Sequence, residues 1–212
     1  MALKTRNKGS NGTYLKIFGG KIVEERQENF TSDNEVKVRE NKLGNKVYYV
    51  EYDSVSGKLV NAEMRHVEQI NADVLELTIK DGIDNYLLSL NVDSRYGKSF
   101  MARMLGIDLD KPIEILPYDF ENKEGKKISG LNIYQDGQKI NSLYTKENPN
   151  GLPEAKQVRK GKEIKWDFTD QVNFYYDKFE EFAAKFPDKP ATEAHEEVSV
   201  FAEEIEDDEL PF

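Results

Sequence analysis

Tyr14-Leu15-Lys16-Ile17-Phe18-Gly19-Gly20-Lys21-Ile22-Val23 holds the first strand pattern of the chain and a glycine pair that breaks it. Side chains alternate across a strand, so Leu15 and Ile17 share one face while Tyr14, Lys16 and Phe18 share the other. The first face is apolar and is expected to be buried. The second interleaves two rings with a cation, the arrangement that stacking on nucleic-acid bases requires. The glycine pair interrupts the pattern, which resumes at Lys21. That predicts a bulge or sharp bend of the kind barrel strands need.

Residues 24–46 are polar with little periodicity and read as a loop or irregular excursion. Lys37, Arg39, Lys42 and Lys46 offer phosphate contacts there, diluted by Glu35 and Glu40. Residues 47–52 form a strand, residues 53–57 a turn and residues 58–67 the returning strand of a hairpin. Tyr48, Tyr49 and Tyr52 must occupy both faces, so Tyr49 or Tyr52 is expected on an exposed binding surface. Strands over 74–80 and 86–92 carry Leu75, Leu77 and Ile79, then Leu88, Leu90 and Val92, as core faces. Further strands are expected over 112–118, 128–134 and 139–145, the last two joined through Gln135-Asp136-Gly137-Gln138. Residues 146–162 read as a loop, basic in its second half through Lys156, Arg159, Lys160 and Lys162. The next strand, 163–168, places Ile164, Trp166 and Phe168 on one face, which predicts core.

Two helices complete the pattern. Asp93 or Ser94 caps the first, Gly106 stops it, and Phe100, Met101, Met104 and Leu105 form its apolar stripe. Gly97-Lys98-Ser99 within it is no phosphate loop, because the required glycine five positions earlier is Val92. Asp170 is the expected cap of the second helix, which runs to about Phe186. Its stripe of Val172, Tyr175, Tyr176, Phe179, Phe182, Ala183 and Phe186 is expected on the sheet, with a subunit or partner interface as the alternative.

The net charge of −10 is unevenly spread. Residues 187–212 hold ten acids and one lysine, whereas the preceding 186 residues hold 30 acids and 29 bases. The acidity thus belongs to a tail, and a nearly neutral body remains able to carry a basic groove. No cysteine is present, which excludes disulfides, thiolate metal sites and a cysteine nucleophile. Two histidines and no compact acidic motif in the body argue against an enzyme; no metal or other cofactor is expected. The start lacks a signal-peptide core, and no run of about 18 apolar residues is present to span a membrane. A cytoplasmic protein is the expectation, and the sequons at Asn11 and Asn29 then carry no meaning. Residues 1–13, with Lys4, Arg6 and Lys8 among small polar residues, read as a flexible basic arm.

The tail ends in Asp207-Asp208-Glu209-Leu210-Pro211-Phe212. This tip resembles that of bacterial single-stranded-DNA-binding proteins, where an acidic run, an apolar residue, proline and a terminal phenylalanine recruit replication and repair enzymes. The body layout is similar to bacteriophage single-strand-binding proteins in its basic arm, its strand with Gly-Gly, and the hairpin Ile128-Ser129-Gly130-Leu131-Asn132-Ile133-Tyr134-Gln135-Asp136-Gly137. The resemblance implies a mainly β, OB-fold-like, partly open barrel over 14–186. Extra hairpins, one mid-chain helix, a C-terminal helix and a disordered acidic tail over 187–212 complete the expected layout. It implies a protein that coats single-stranded DNA and recruits a polymerase, primase, helicase or nuclease.

Candidate stacking residues are Tyr14, Phe18, Tyr49, Tyr52 and Tyr134. Candidate phosphate contacts are Lys16, Lys21, Arg95, Lys156, Arg159 and Lys160. The tip would present Phe212 and its carboxylate to an apolar pocket with a basic rim. Val198, Phe201 and Ile205 recur at helical spacing, so part of the tail is able to fold on a partner. A homo-oligomer is compatible with this reading. The alternative reading is an acidic interaction or DNA-mimic module, which binds a nucleic-acid enzyme rather than DNA.

Overall fold

Gly19 and Gly20 both have positive φ, 56° and 74°. They form a two-residue hairpin turn that sends β1 (Thr13–Phe18) directly back as β2 (Lys21–Arg26). The glycine pair is therefore a tight turn rather than a bulge. The computed structural model describes residues 12–26, 35–41, 44–160 and 163–186. Most of the basic arm and the whole acidic tail, including Asp207–Phe212, lie outside the described residues.

The remaining strands are β3 (Lys37–Glu40), β4 (Lys46–Tyr52), β5 (Val55–Val67), β6 (Ala72–Asp81) and β7 (Asp84–Asn91). They continue, after helix α1 (Arg95–Met101), with β8 (Pro112–Glu121), β9 (Lys127–Gln135), β10 (Gln138–Lys139), β11 (Lys156–Lys160) and β12 (Glu163–Asp167). Helix α2 (Thr169–Ala183) follows. Ten strands form one sheet in the order β10-β9-β8-β5-β6-β7-β1-β2-β4-β3. Every ladder in it is antiparallel except that of β1 with β7. The fold is mainly β and the sheet is open: among the described residues no ladder joins β10 to β3.

The sheet is nevertheless curled. The register of β5 against β6 shifts between Leu59 and Asn61, a bulge that bends the longest strand. The β1–β2 turn rests on β8, where a Cβ added to Gly20 would lie 2.6 Å from the Asp119 amide nitrogen. The Gly20 N–H donates to the Tyr96 hydroxyl at 3.2 Å, tying the same turn to α1.

The concave side is the core. Leu15, Ile17, Ile22, Leu75, Leu77, Ile79, Leu88, Leu90, Ile113, Ile115, Leu131 and Ile133 are all buried there, as strict alternation requires. Ser94 caps α1 by accepting from the Gly97 N–H at 3.0 Å. The helix then inserts Phe100 and Met101, followed by Met104, into the core. Ser99 of α1 satisfies the open edge of β9: its hydroxyl accepts from the Leu131 N–H at 3.0 Å and donates to the Leu131 carbonyl at 3.2 Å. From α2, Phe179 and Phe182 are buried, and Phe182 meets Phe100 edge to face at 6.1 Å. The expected packing of this stripe on the body holds.

Several local expectations are corrected. Residues 24–26 extend β2, and residues 37–40 form an edge strand on β4. β4 and β5 do not pair; β4 lies between β2 and β3, while β5 lies between β8 and β6. The turn at 53–54 moves the chain across the sheet instead of reversing it in place. The return after Asp136-Gly137 is only the two residues of β10. The basic half of the expected 146–162 loop forms β11, which pairs with β12 as a separate two-stranded ribbon. Phe168, not Asp170, holds the cap position of α2. The Asp167 carboxylate, one residue earlier, accepts from the Thr169 N–H at 2.9 Å.

Candidate nucleic-acid interface

The convex face of β1 displays Tyr14, Lys16 and Phe18 in the expected alternation. Tyr14 is 47% exposed and Phe18 is 43% exposed. Register sets Lys21 of β2 directly opposite Phe18, so it stands on the same face. Cross-strand pairing extends that face through Glu25 to Tyr49 and Glu51 of β4, and to Lys37 and Arg39 of β3.

Charges on this face alternate in sign. Lys16 meets Glu25 at 3.4 Å, and Arg39 meets the same carboxylate oxygen at 3.8 Å. Lys21 pairs with Asp53 at 2.6 Å, and Lys37 pairs with Glu51 at 2.6 Å. The Lys21 contact holds the Asp53 carboxyl below the usual range. Beyond Tyr14, Arg65 of β5 pairs with Glu76 of β6. Partial burial, and secondly the Glu76 charge, raise the Tyr14 phenol above its ordinary pKa. Like any tyrosine phenol it is neutral at physiological pH, so Tyr14 presents a ring rather than an anion.

Arg39 organises one end of the face. Its guanidinium lies 4.1 Å from the Phe18 ring centroid and 5.5 Å from that of Tyr49. Tyr49 is buried, which corrects the expectation that it or Tyr52 stands exposed. Tyr52 points to the opposite side of β4, half-buried, and donates to the Glu24 carboxylate at 3.0 Å. That placement follows from register, because Tyr52 pairs with Ile22 on the concave face.

The other candidates lie on other elements. Tyr134 is half-buried on β9 between Glu114 and Lys139, with β8, β5, β6 and β7 between it and β1 in sheet order. Arg95 begins α1 and donates to the Lys127 carbonyl, beside the end of the sheet where Tyr96 holds Gly20. Lys156 and Arg159 lie on the separate ribbon, where Lys156 pairs with Asp170 of α2. The Lys160 side chain lies outside the described residues. The structure thus brings together Tyr14, Lys16, Phe18 and Lys21 as accessible side chains, buries Tyr49 on the same face, sets Arg95 beside the β1–β2 turn, and places the rest elsewhere.

Five exposed or surface-organising residues, Arg39, Arg65, Phe120, Ile164 and Trp166, lie outside the candidate stacking and phosphate sets, although Arg39 is among the phosphate contacts that residues 24–46 offer. Arg39 fell in a stretch without apolar periodicity, although Lys37 and Arg39 at alternate positions were a usable signal. Arg65 stood in a strand read only as a return. Phe120 is 52% exposed and continues the alternation of Leu116 and Tyr118 past the expected strand end. Trp166 and Ile164, expected in the core, are 55% and 69% exposed. The alternation was right, but which side of an isolated ribbon is covered depends on tertiary packing that local pattern does not encode.

Among the described residues, no group of three or more His, Cys, Asp or Glu is placed to hold a metal ion. No described helix is long and apolar enough to cross a membrane. No protein-family model, no curated protein and no solved structure matches this chain.

Proposed function

We propose that this chain binds single-stranded DNA through the convex face of β1 and β2, without strong sequence preference. The observation that carries the reading is the exposed pair Tyr14 and Phe18, set on either side of Lys16 on one rigid strand. At strand rise the two rings are roughly 13 Å apart, far enough to stack on separate bases of one extended strand. Lys16 and Lys21 stand on the same face and are suited to phosphates between them.

The pairing of these lysines with Glu25 and Asp53 shapes the mechanism. A phosphate that engages Lys16 or Lys21 must exchange for a carboxylate. The exchange offsets part of the Coulomb gain, so stacking supplies the larger share of affinity at this face. Each stacked base contributes about 1–3 kcal/mol. Rings accept any base, which accounts for the absence of sequence preference. The order β5, β6, β7, α1, β8, with β5 antiparallel to both β6 and β8, supports an OB-fold-like reading of the central strands, because the helix falls between the third and fourth.

The acidic segment 187–212 serves as the partner-facing part. Its tip, Asp207 to Phe212, combines carboxylates for a basic rim with Leu210 and Phe212 for an apolar pocket. On this reading the chain coats single-stranded DNA and recruits a replication or repair enzyme.

A gel shift with labelled oligo-dT, on the full chain and on a form ending at residue 203, tests both halves. Binding by both forms, with loss of enzyme recruitment in the shorter one, is the expected result. Failure of the full chain to bind oligo-dT overturns the proposal.

A further inference from the structure

We propose that the β11–β12 ribbon is a second stacking site for single-stranded nucleic acid, in which Trp166 takes a base and Arg159 the adjoining phosphate. The inference rests on the single-strand-binding reading above and adds an element outside the main sheet.

The register decides which side chains share a face. Gln157 pairs with Trp166 and Arg159 with Ile164, so these four residues lie on one side of the ribbon. Trp166 is 55% exposed and Ile164 is 69% exposed. An isolated two-stranded ribbon is at best marginally stable in water. Its largest ring would serve the fold best if it were buried, since an aromatic side chain removes about 150–250 Å² from water when covered. Here the ring is left in solvent, while the base of the ribbon is fixed to α2 by the Lys156–Asp170 pair.

Charge selects the occupant. The ribbon with its turn, residues 156–167, contains Lys156, Arg159, Lys160, Lys162 and Lys165 against two acids, Glu163 and Asp167. An acidic polymer is therefore attracted. Among acidic polymers, a single strand offers an unstacked π-face to the indole and a phosphate to the guanidinium. A duplex keeps its bases stacked inside and offers no such face without being forced apart. A second copy of this basic ribbon would be repelled, and an apolar partner would have to strip the surrounding cations of water.

Trp166 is the only tryptophan in the chain, so its emission reports on this ribbon alone. The experiment titrates the full chain with end-labelled oligo-dT, following label anisotropy and tryptophan emission together, with polyglutamate as a base-free polyanion. The expected result is binding by anisotropy with substantial quenching of Trp166, and little quenching by polyglutamate. Trp166→Phe should retain affinity within about threefold, and Trp166→Ala should lose about 5- to 150-fold. Binding without a change in Trp166 emission overturns this inference and leaves the β1 site standing. Equal quenching by polyglutamate overturns stacking in favour of simple charge attraction. Absence of binding overturns both readings. The wild-type emission arm decides the matter even if Trp166→Ala fails to fold.

Discussion

The guanidinium of Arg39 lies 4.1 Å from the Phe18 ring centroid, so a residue from the outermost strand of the sheet covers one side of the exposed ring on β1. The contact holds Phe18 in place without hiding it, since the residue remains 43% exposed. A prepositioned ring loses little freedom when a base arrives, which is how preorganisation raises affinity. Phe18→Ala should weaken oligo-dT binding by about 1–3 kcal/mol, measured by anisotropy. Because the ring is not in the core, melting temperature should change little. Phe18→Trp should retain affinity. A Phe18→Ala form with unchanged affinity would remove Phe18 from the site.

Glu25 restrains two cations at once, Lys16 and Arg39, through one oxygen. Glu25→Gln keeps the shape and removes the charge. It should raise oligo-dT affinity severalfold at low salt, with the gain shrinking as salt is added. Weaker binding by this variant would show that Glu25 orients the cations productively instead of competing with phosphate.

The β1–β2 turn predicts a contrast between two adjacent glycines. Both have positive φ, yet a Cβ at Gly19 meets nothing within 4 Å, while one at Gly20 meets the β8 backbone at 2.6 Å. Gly19→Ala should cost about 1 kcal/mol for the left-handed conformation alone. Gly20→Ala should cost roughly 2–4 kcal/mol, because turn and strand must also separate. Urea denaturation of the two variants checks the difference. Equal costs would mean that the contact with β8 is not part of the folded state.

Asp73 links α2 to the sheet, accepting from the Tyr176 hydroxyl at 2.6 Å and facing His66 Nδ1 at 2.8 Å. These contacts, the Tyr176 hydrogen bond first, depress its carboxyl below the usual range. A depressed carboxyl stabilises the fold fully above its unfolded pKa of about 3.9, and that contribution disappears as pH falls through the folded value. Tyr176→Phe should cost about 1 kcal/mol at pH 7, the modest figure reflecting partial exposure of the pair. The difference from wild type should narrow below about pH 4 in acid titrations of stability.

Much of the fold was legible because burial imposed period-two alternation. Leu75, Leu77 and Ile79, and again Leu88 and Leu90, fall on the core face as their spacing requires. Tyr14 and Phe18 were legible for the same reason in reverse, as rings opposite a clean apolar face. Pairing partners were less legible. Residues 47–52 and 58–67 look like the arms of a hairpin, yet Asp53 and Ser54 carry the chain between non-neighbouring strands, and nothing local distinguishes a crossing from a reversal. Tyr49 is buried, although its strand pattern allows exposure, because the edge strand β3 pairs with β4 and brings Arg39 over its ring. Trp166 went wrong because an apolar ribbon face resembles a core face until its missing cover is seen.

On the proposed function, exposed rings on this body stack on unpaired bases. The most direct measurement is competition between oligo-dT and duplex DNA of equal length for the full chain, followed by anisotropy across a salt series. The expected result is at least about a hundredfold preference for oligo-dT, persisting as salt rises because stacking is not screened. With about five phosphates engaged, log affinity should fall against log salt with a slope of about −3.5. Equal affinity for duplex, or loss of the preference as salt rises, would contradict it.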